Sequence, residues 1–305
     1  MKRIGVTGGN EVRIEGRLVR IAHIDGEKYT APGNLEALLA ELKACGERID
    51  LFTFLQHPPE TEVLYPYYHE WDNLAIMPIT TFDNWWNHQI KSIGRNRARQ
   101  AEKKGLVIRE IPYDDNLLRG IVEIHNESPV RQGRRFPHYG MTLEGARAYA
   151  GTFLDRSFFI GALDGDKIIG FMKLCISESG KHACAINILA MLRHRDKAPT
   201  NAMIAQAVRS CAARGISYLV YENFTYGKKS SDSLSQFKEA NGFRRMDLPR
   251  YYIPLTPVGK FVLRAGLHHR WVDYIPEFLM GRYRKLRAAY YSNRYRDLEG
   301  NVRKG

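Results

Sequence analysis

The chain has 305 residues, 44% hydrophobic and 26% charged, which fits a globular protein with room for one large or two modest domains. No apolar run reaches the roughly 18 residues that span a bilayer, and Met1-Lys2-Arg3-Ile4-Gly5 leads into polar sequence, so neither a membrane span nor a secretory leader is expected. The net charge of +13 is concentrated: Lys91 to Arg109 holds seven Lys/Arg against Glu102 alone, and 257–305 holds eleven against four acids, which points to a phosphate-bearing partner.

Residues 1–79 read as a small α/β unit. Arg17 to Ile24 alternates as a half-buried strand does, and Asp25-Gly26 supplies a turn. Asn34 to Cys45 is a helix between Gly33 and Gly46, and Ile49 to Leu55 and Asn73 to Ile79 are strands. Residues 80–105 are expected as one long linking helix. Phe82, Trp86, Ile90 and Ile93 share a face, Gly94 marks a kink, and Arg95 to Lys104 forms a basic face capped by Gly105.

Residues 106–256 form the next unit. Leu106 to Ile111 is a strand, Asn116 to Asn126 a helix, and Glu127 to Gly140 a polar loop. A helix from Thr142 to Leu154 follows, then a hairpin of Phe158 to Leu163 and Lys167 to Ile176 around Asp164-Gly165-Asp166. Ala183 to Leu192 is an apolar strand in which the polar Asn187 needs a partner. The basic turn Arg193-His194-Arg195-Asp196-Lys197-Ala198-Pro199 leads to a helix closed by Gly215, and Ile216 to Tyr221 is a second strand. Two strands joined by one helix make a parallel crossover, so the basic turn opens at the carboxyl end of a sheet, where anions meet helix N-termini. A short helix, 232–243, and a strand, Tyr251 to Leu255, complete the unit. In the tail, 257–305, aromatic and basic residues interleave, a pattern that suits an anionic membrane surface or RNA. The four cysteines include no Cys-x-x-Cys and the ten histidines no His-x-x-x-His, so reduced thiols, a cytoplasmic setting and no metal are expected.

From Leu106 to Leu255 the order is β, α, α, β, β, β, α, β, α, β. With the strand–turn–helix at 183–215 and the run Phe237-Lys238-x-x-x-Gly242-Phe243, it resembles the GNAT acyltransferase superfamily. Within it, the closer likeness is to the Fem-type branch of peptidoglycan-bridge aminoacyltransferases and their relatives in exopolysaccharide and lipid modification. Arg95 to Gly105 resembles the basic helix joining the two GNAT-like halves of those proteins. The resemblance covers about residues 80 to 255. It implies an α/β (α+β) fold: a GNAT-like mixed sheet with flanking helices, a smaller degenerate α/β unit before it and a basic helical tail after it.

The activity implied is N-acyl transfer to an amine, with no permanently bound cofactor. GNAT enzymes that use acetyl-CoA cradle its pyrophosphate in a glycine-rich turn, and Arg193 to Pro199 has no glycine to let backbone amides approach. That departure favours aminoacyl-tRNA over acyl-CoA as donor, its phosphate held by Arg193, Arg195, Lys197 and Asn201. Lys238, at the Phe-Lys position, is the implied stabiliser of the tetrahedral oxyanion. The loop from Asn126 to Gly140 falls on the acceptor side. There Arg131, Arg135 and Tyr139, with Tyr221 and Tyr226, would orient an anionic or phosphorylated acceptor, and Glu127 and His138 are the available general bases. A different class of answer is a catalytically silent module that binds RNA or an anionic membrane surface.

Overall fold

The computed structural model describes residues 2–5, 11–226, 233–269 and 277–295. The chain opens with β1 (Lys2–Gly5), β2 (Glu11–Glu15) and β3 (Ile21–Ile24), then α1 (Leu35–Ala44), whose first turn is capped by the Asn34 side chain. β4 (Leu51–Leu55) and β5 (His69–Pro78) follow. The expected single helix over 80–105 is broken. α2 (Phe82–Asn84) runs into a π-helical turn, Trp85–Gln89, the backbone is extended at Ile90, and α3 (Ser92–Lys103) starts afresh. Gly94 is not the break. A Cβ there would lie 2.2 Å from the carbonyl oxygen of Ala240, so its absence is what lets α3 approach the segment carrying Lys238.

Next come β6 (Leu106–Ile111), α4 (Asp115–Asn126), the two-residue strands β7 (Val130–Arg131) and β8 (Arg134–Arg135), and α5 (Leu143–Ala150). The side chain of Thr142 accepts the Gly145 N–H and caps α5. β9 (Ser157–Asp164), β10 (Lys167–Ile176) and β11 (His182–Ala190) lead through a 3-10 turn, Leu192–Lys197, into α6 (Pro199–Ala213). β12 (Tyr218–Asn223), α7 (Ser233–Ala240), β13 (Arg244–Pro254), α8 (Pro257–Arg264) and α9 (Glu277–Arg294) complete the order. Asp232 of the expected short helix and Arg296 of the tail lie outside the described residues. Among those described, no helix is long and apolar enough to cross a membrane.

Eleven strands make one mixed sheet in the order β1-β2-β3-β4-β13-β5-β12-β11-β10-β9-β6. Two parallel crossovers organise it: α1 joins β3 to β4 (Ile21 opposite Leu51), and α6 joins β11 to β12 (His182 opposite Tyr218). β13 is eleven residues long, twice the expected strand, because it pairs antiparallel with β4 on one side and β5 on the other. Strands from 1–79 and from 106–256 therefore alternate at the centre. The join is apolar, filled by Leu55, Leu74, Ile76, Cys184, Val220 and Leu248. The larger core lies between β9–β11 and helices α3, α4 and α6, and a smaller one beneath α1.

Candidate active-site cleft

The site begins where two strands part. β11 and β12 pair only as far as Cys184 opposite Val220, yet β11 continues to Ala190 and β12 to Asn223. β12 carries an irregularity between Val220 and Asn223, and within it Glu222 takes a left-handed backbone at φ 51°. The fork opens a cleft of about 780 Å³ walled by Ile188 to Met191, Tyr221, Phe237 and the first turn of α6.

α6 follows Ala198, its N-cap residue, left-handed at φ 53°, with Pro199 in its first turn and no side-chain cap. The first-turn amides of Thr200 and Asn201 thus sit at the cleft with the positive end of the helix dipole. Arg97 from α3 and Arg195 from the turn line the same cleft. No carboxylate of the described residues pairs with either.

The four expected phosphate ligands divide by geometry. In a 3-10 turn, residues three apart eclipse. Leu192 and Arg195 face the cleft, whereas His194 and Lys197 both turn to Asp164, His194 at 3.5 Å and Lys197 in an ion pair. The Arg193 guanidinium rests 3.2 Å from Met191 Sδ. Arg195 and Asn201 are therefore brought to the cleft, and Arg193 and Lys197 are not. Asn201 also donates to Asn241 Oδ1 at 3.0 Å, and Asn241, fully buried, accepts the Trp85 indole N–H through its backbone oxygen.

Lys238 is completely buried at the end of the fork. Its ammonium donates to the Asn223 carbonyl and lies 5.1 Å from the ring centre of Tyr221 and 4.9 Å from that of Tyr226. Three predicted residues thus converge, since rings stabilise a cation by their negative faces.

The acceptor-side residues behave otherwise. Glu127 is nearly buried, and its carboxylate accepts the backbone N–H groups of Leu192 and Arg193 and pairs with Arg131 at 3.2 Å. It pins the basic turn rather than standing open as a base. Arg131 also donates to the carbonyls of Ala190 (2.9 Å) and Ile124 (2.7 Å), so its guanidinium spans the cleft wall instead of awaiting an anion. Arg135 and Tyr139 are exposed. His138 belongs to a ring cluster with His125, Phe136 and Tyr149. Burial pushes the His125 imidazole down to about 4 and the Tyr149 phenol up to about 12. Asn187 donates to Tyr149 at 2.7 Å, the partner that a polar residue in an apolar strand required.

The alternate residues of β12, Val220 and Glu222, line a second cavity of about 320 Å³ with His23, Glu27, Lys28 and Tyr29. Lys28 pairs with Glu222, and its backbone oxygen accepts from His182 at 2.9 Å, which fastens the loop after β3 to β11. Arg97 and Asn241, both missed as site residues, carry a weak signal at most: one of many arginines in a basic run, and an asparagine at a helix end.

No family model matches the chain, and no curated protein matches it. Solved structures do. FemX covers 85% of this chain and 89% of its own at 13% identity, with a TM-score of 0.56. The C-terminal domain of a putative lysylphosphatidylglycerol synthetase from Agrobacterium fabrum gives 12% identity, 87% and 88% coverage and a TM-score of 0.57. L-PGS from Bacillus licheniformis gives 14% identity, 88% and 90% coverage and a TM-score of 0.55. The chain has the fold of FemX and of these synthetase structures, the Fem-type GNAT-like fold that its own sequence resembles.

Proposed function

We propose that the protein is an N-acyltransferase that moves an aminoacyl group from aminoacyl-tRNA to an amine at the β11–β12 fork. The observation that carries this reading is the meeting, at one fork, of an uncapped helix N-terminus and two cations with no acid partner among the described residues, with Lys238 buried behind the cleft-lining Tyr221. The amine nitrogen attacks the ester carbonyl, an amide forms, and the tRNA hydroxyl leaves with the proton that the amine loses. Lys238 supplies fixed positive charge for the oxyanion between those two events.

Two features favour tRNA over CoA. The turn before α6 is a 3-10 helix whose first two amides donate to Glu127 and whose later ones close on backbone carbonyls, so they form no cradle. Arg97 faces the cleft while Arg95 and Arg99 lie over Trp86 on another side of the same helix, so α3 is basic on more than one face, which suits a long polyanion better than one pyrophosphate. Tyr283, Leu286 and Tyr290 recur on the exposed face of α9 beside Arg282 and Lys285, which supports peripheral docking on anionic lipid near the acceptor. The full burial of Lys238 against a carbonyl favours a second reading, a non-catalytic module that binds RNA or lipid.

The test is transfer of a radiolabelled amino acid from charged tRNA to a panel of amine acceptors, by the wild type and by Lys238→Met. A fall of about 10²–10³-fold in rate, with donor affinity kept, is expected. Equal rates, or stabilisation by CoA and not by charged tRNA, would reverse the assignment.

A further inference from the structure

Away from the cleft, β5 carries Glu70 opposite Arg250 of β13. That guanidinium does not take Glu70, because it is committed to Glu27 (2.6 and 2.9 Å) and Asp72 (3.0 Å). Two histidines from the chain after α8 come instead. His268 Nε2 lies 3.0 Å and His269 Nε2 3.3 Å from Glu70 Oε1, and the three donor atoms fall within 4.8 Å of one another.

Hydrogen bonding alone accounts poorly for this arrangement. The same Oε1 also accepts the Tyr68 hydroxyl at 3.1 Å, so one carboxylate oxygen would serve three donors. The His268 side chain is 1% exposed, held edge-on by Tyr252 (4.6 Å) and Tyr68 (6.2 Å). Its Nδ1 is buried with no partner among the described residues, and none of them fixes the ring in the tautomer that donates from Nε2. Donor atoms about 2.0–2.2 Å from a tetrahedral ion stand roughly 3.3–3.5 Å apart; the two carboxylate–imidazole contacts, 3.0 and 3.3 Å, lie near that spacing, and two imidazoles with one carboxylate form a zinc set that leaves a fourth position open.

We propose that Glu70, His268 and His269 form a site for a divalent transition ion of the zinc class, with Tyr68 orienting the carboxylate from behind. The ligands are 198 residues apart in sequence, and the ion ties the chain beyond α8 to the centre of the sheet. The site stands independently of the acyl-transfer reading.

The full-length protein, stripped with chelator, is incubated with Zn²⁺ or Co²⁺, passed through a desalting column and assayed for metal. One ion per chain is expected, with visible Co²⁺ bands of a low-coordinate site and a melting temperature raised by Zn²⁺. Glu70→Gln and the less buried His269→Ala should lower affinity at least tenfold and abolish the Zn²⁺-induced shift, and Tyr68→Phe should weaken binding by a smaller factor. His268→Ala is the stricter test but removes a buried ring, so circular dichroism must first show that it folds. No ion retained at micromolar Zn²⁺, or equal retention by wild type, Glu70→Gln and His269→Ala, would mean an adventitious ion only and overturn the proposal.

Discussion

The carboxylate of Glu127 accepts the backbone N–H of Arg193 at 3.0 Å, and so fixes the basic turn against the far end of α4. The same carboxylate holds Arg131, whose guanidinium bridges to the last carbonyl of β11. Glu127→Gln keeps an oxygen for the amides but leaves the Arg131 charge without its counterion. Breaking one side of a buried pair costs about 3–5 kcal/mol, and urea denaturation should show a loss of that order. Unchanged stability with abolished transfer would give Glu127 a direct role in proton removal instead.

Lys173 offers a second buried ammonium, with a different consequence. It sits in β10, donates to the carbonyls of Ala150 (2.9 Å) and Thr152 at the end of α5, and pairs with no acid among the described residues. Burial pulls it down to about 8, against about 10.4 for a free lysine. Between those values the unfolded chain binds more protons, so this group makes stability rise with pH, by up to about 1.4 kcal/mol per unit. Below pH 8 the full penalty of holding the charge is present. Lys173→Met should remove that slope between pH 8 and 10.4 in paired denaturation series. A stability difference between the two proteins that is constant over this range would refute the assignment.

What the sequence disclosed follows the range of the forces involved. Elements set by local punctuation were legible at their starts: helices were expected from Asn34 and Thr142, whose side chains cap them, and Pro199 and Gly215 bracket the crossover helix, although the helix after Thr142 stops at Ala150, short of the expected Leu154. Features set by remote partners were not. β13 acquires its length from β4 and β5, which lie far earlier in the chain. The break at Ile90 accompanies a π-helical turn tied by the Trp85 indole to Asn241, a contact that no spacing within 80–105 reveals. Around the fork, Lys238 was singled out by motif position and Tyr221 and Tyr226 by following the second crossover strand, whereas the contacts of Glu127 and Arg131 depend on amides of the turn and a carbonyl of β11. Charge type was readable; the direction each charge faces was not.

That directional point yields a salt-dependence experiment. Arg195 and Arg97 line the cleft, and Lys197 is turned to Asp164. If donor phosphates bind at α6, Arg195→Ala and Arg97→Ala should each lower the slope of log affinity against log salt by about one. Lys197→Ala should leave the slope for tRNA unchanged. A larger effect from Lys197 than from Arg195 would place the polyanion on the β9–β10 side of the turn.

Ala198 supplies the last test, at the place where the turn lacks glycine. Its backbone is left-handed at φ 53°, which costs a residue with a Cβ about 1–2 kcal/mol, while glycine visits that region freely. Glycine also gains freedom in the unfolded chain, which offsets roughly 0.5–1 kcal/mol of the relief. Ala198→Gly should therefore be neutral or stabilise by up to about 1 kcal/mol in urea denaturation. Donor selectivity should not move towards CoA, because the 3-10 turn before it already uses its own amides. A variant that gains CoA binding would show that the alanine Cβ alone, rather than the helical turn, keeps a pyrophosphate from the start of α6.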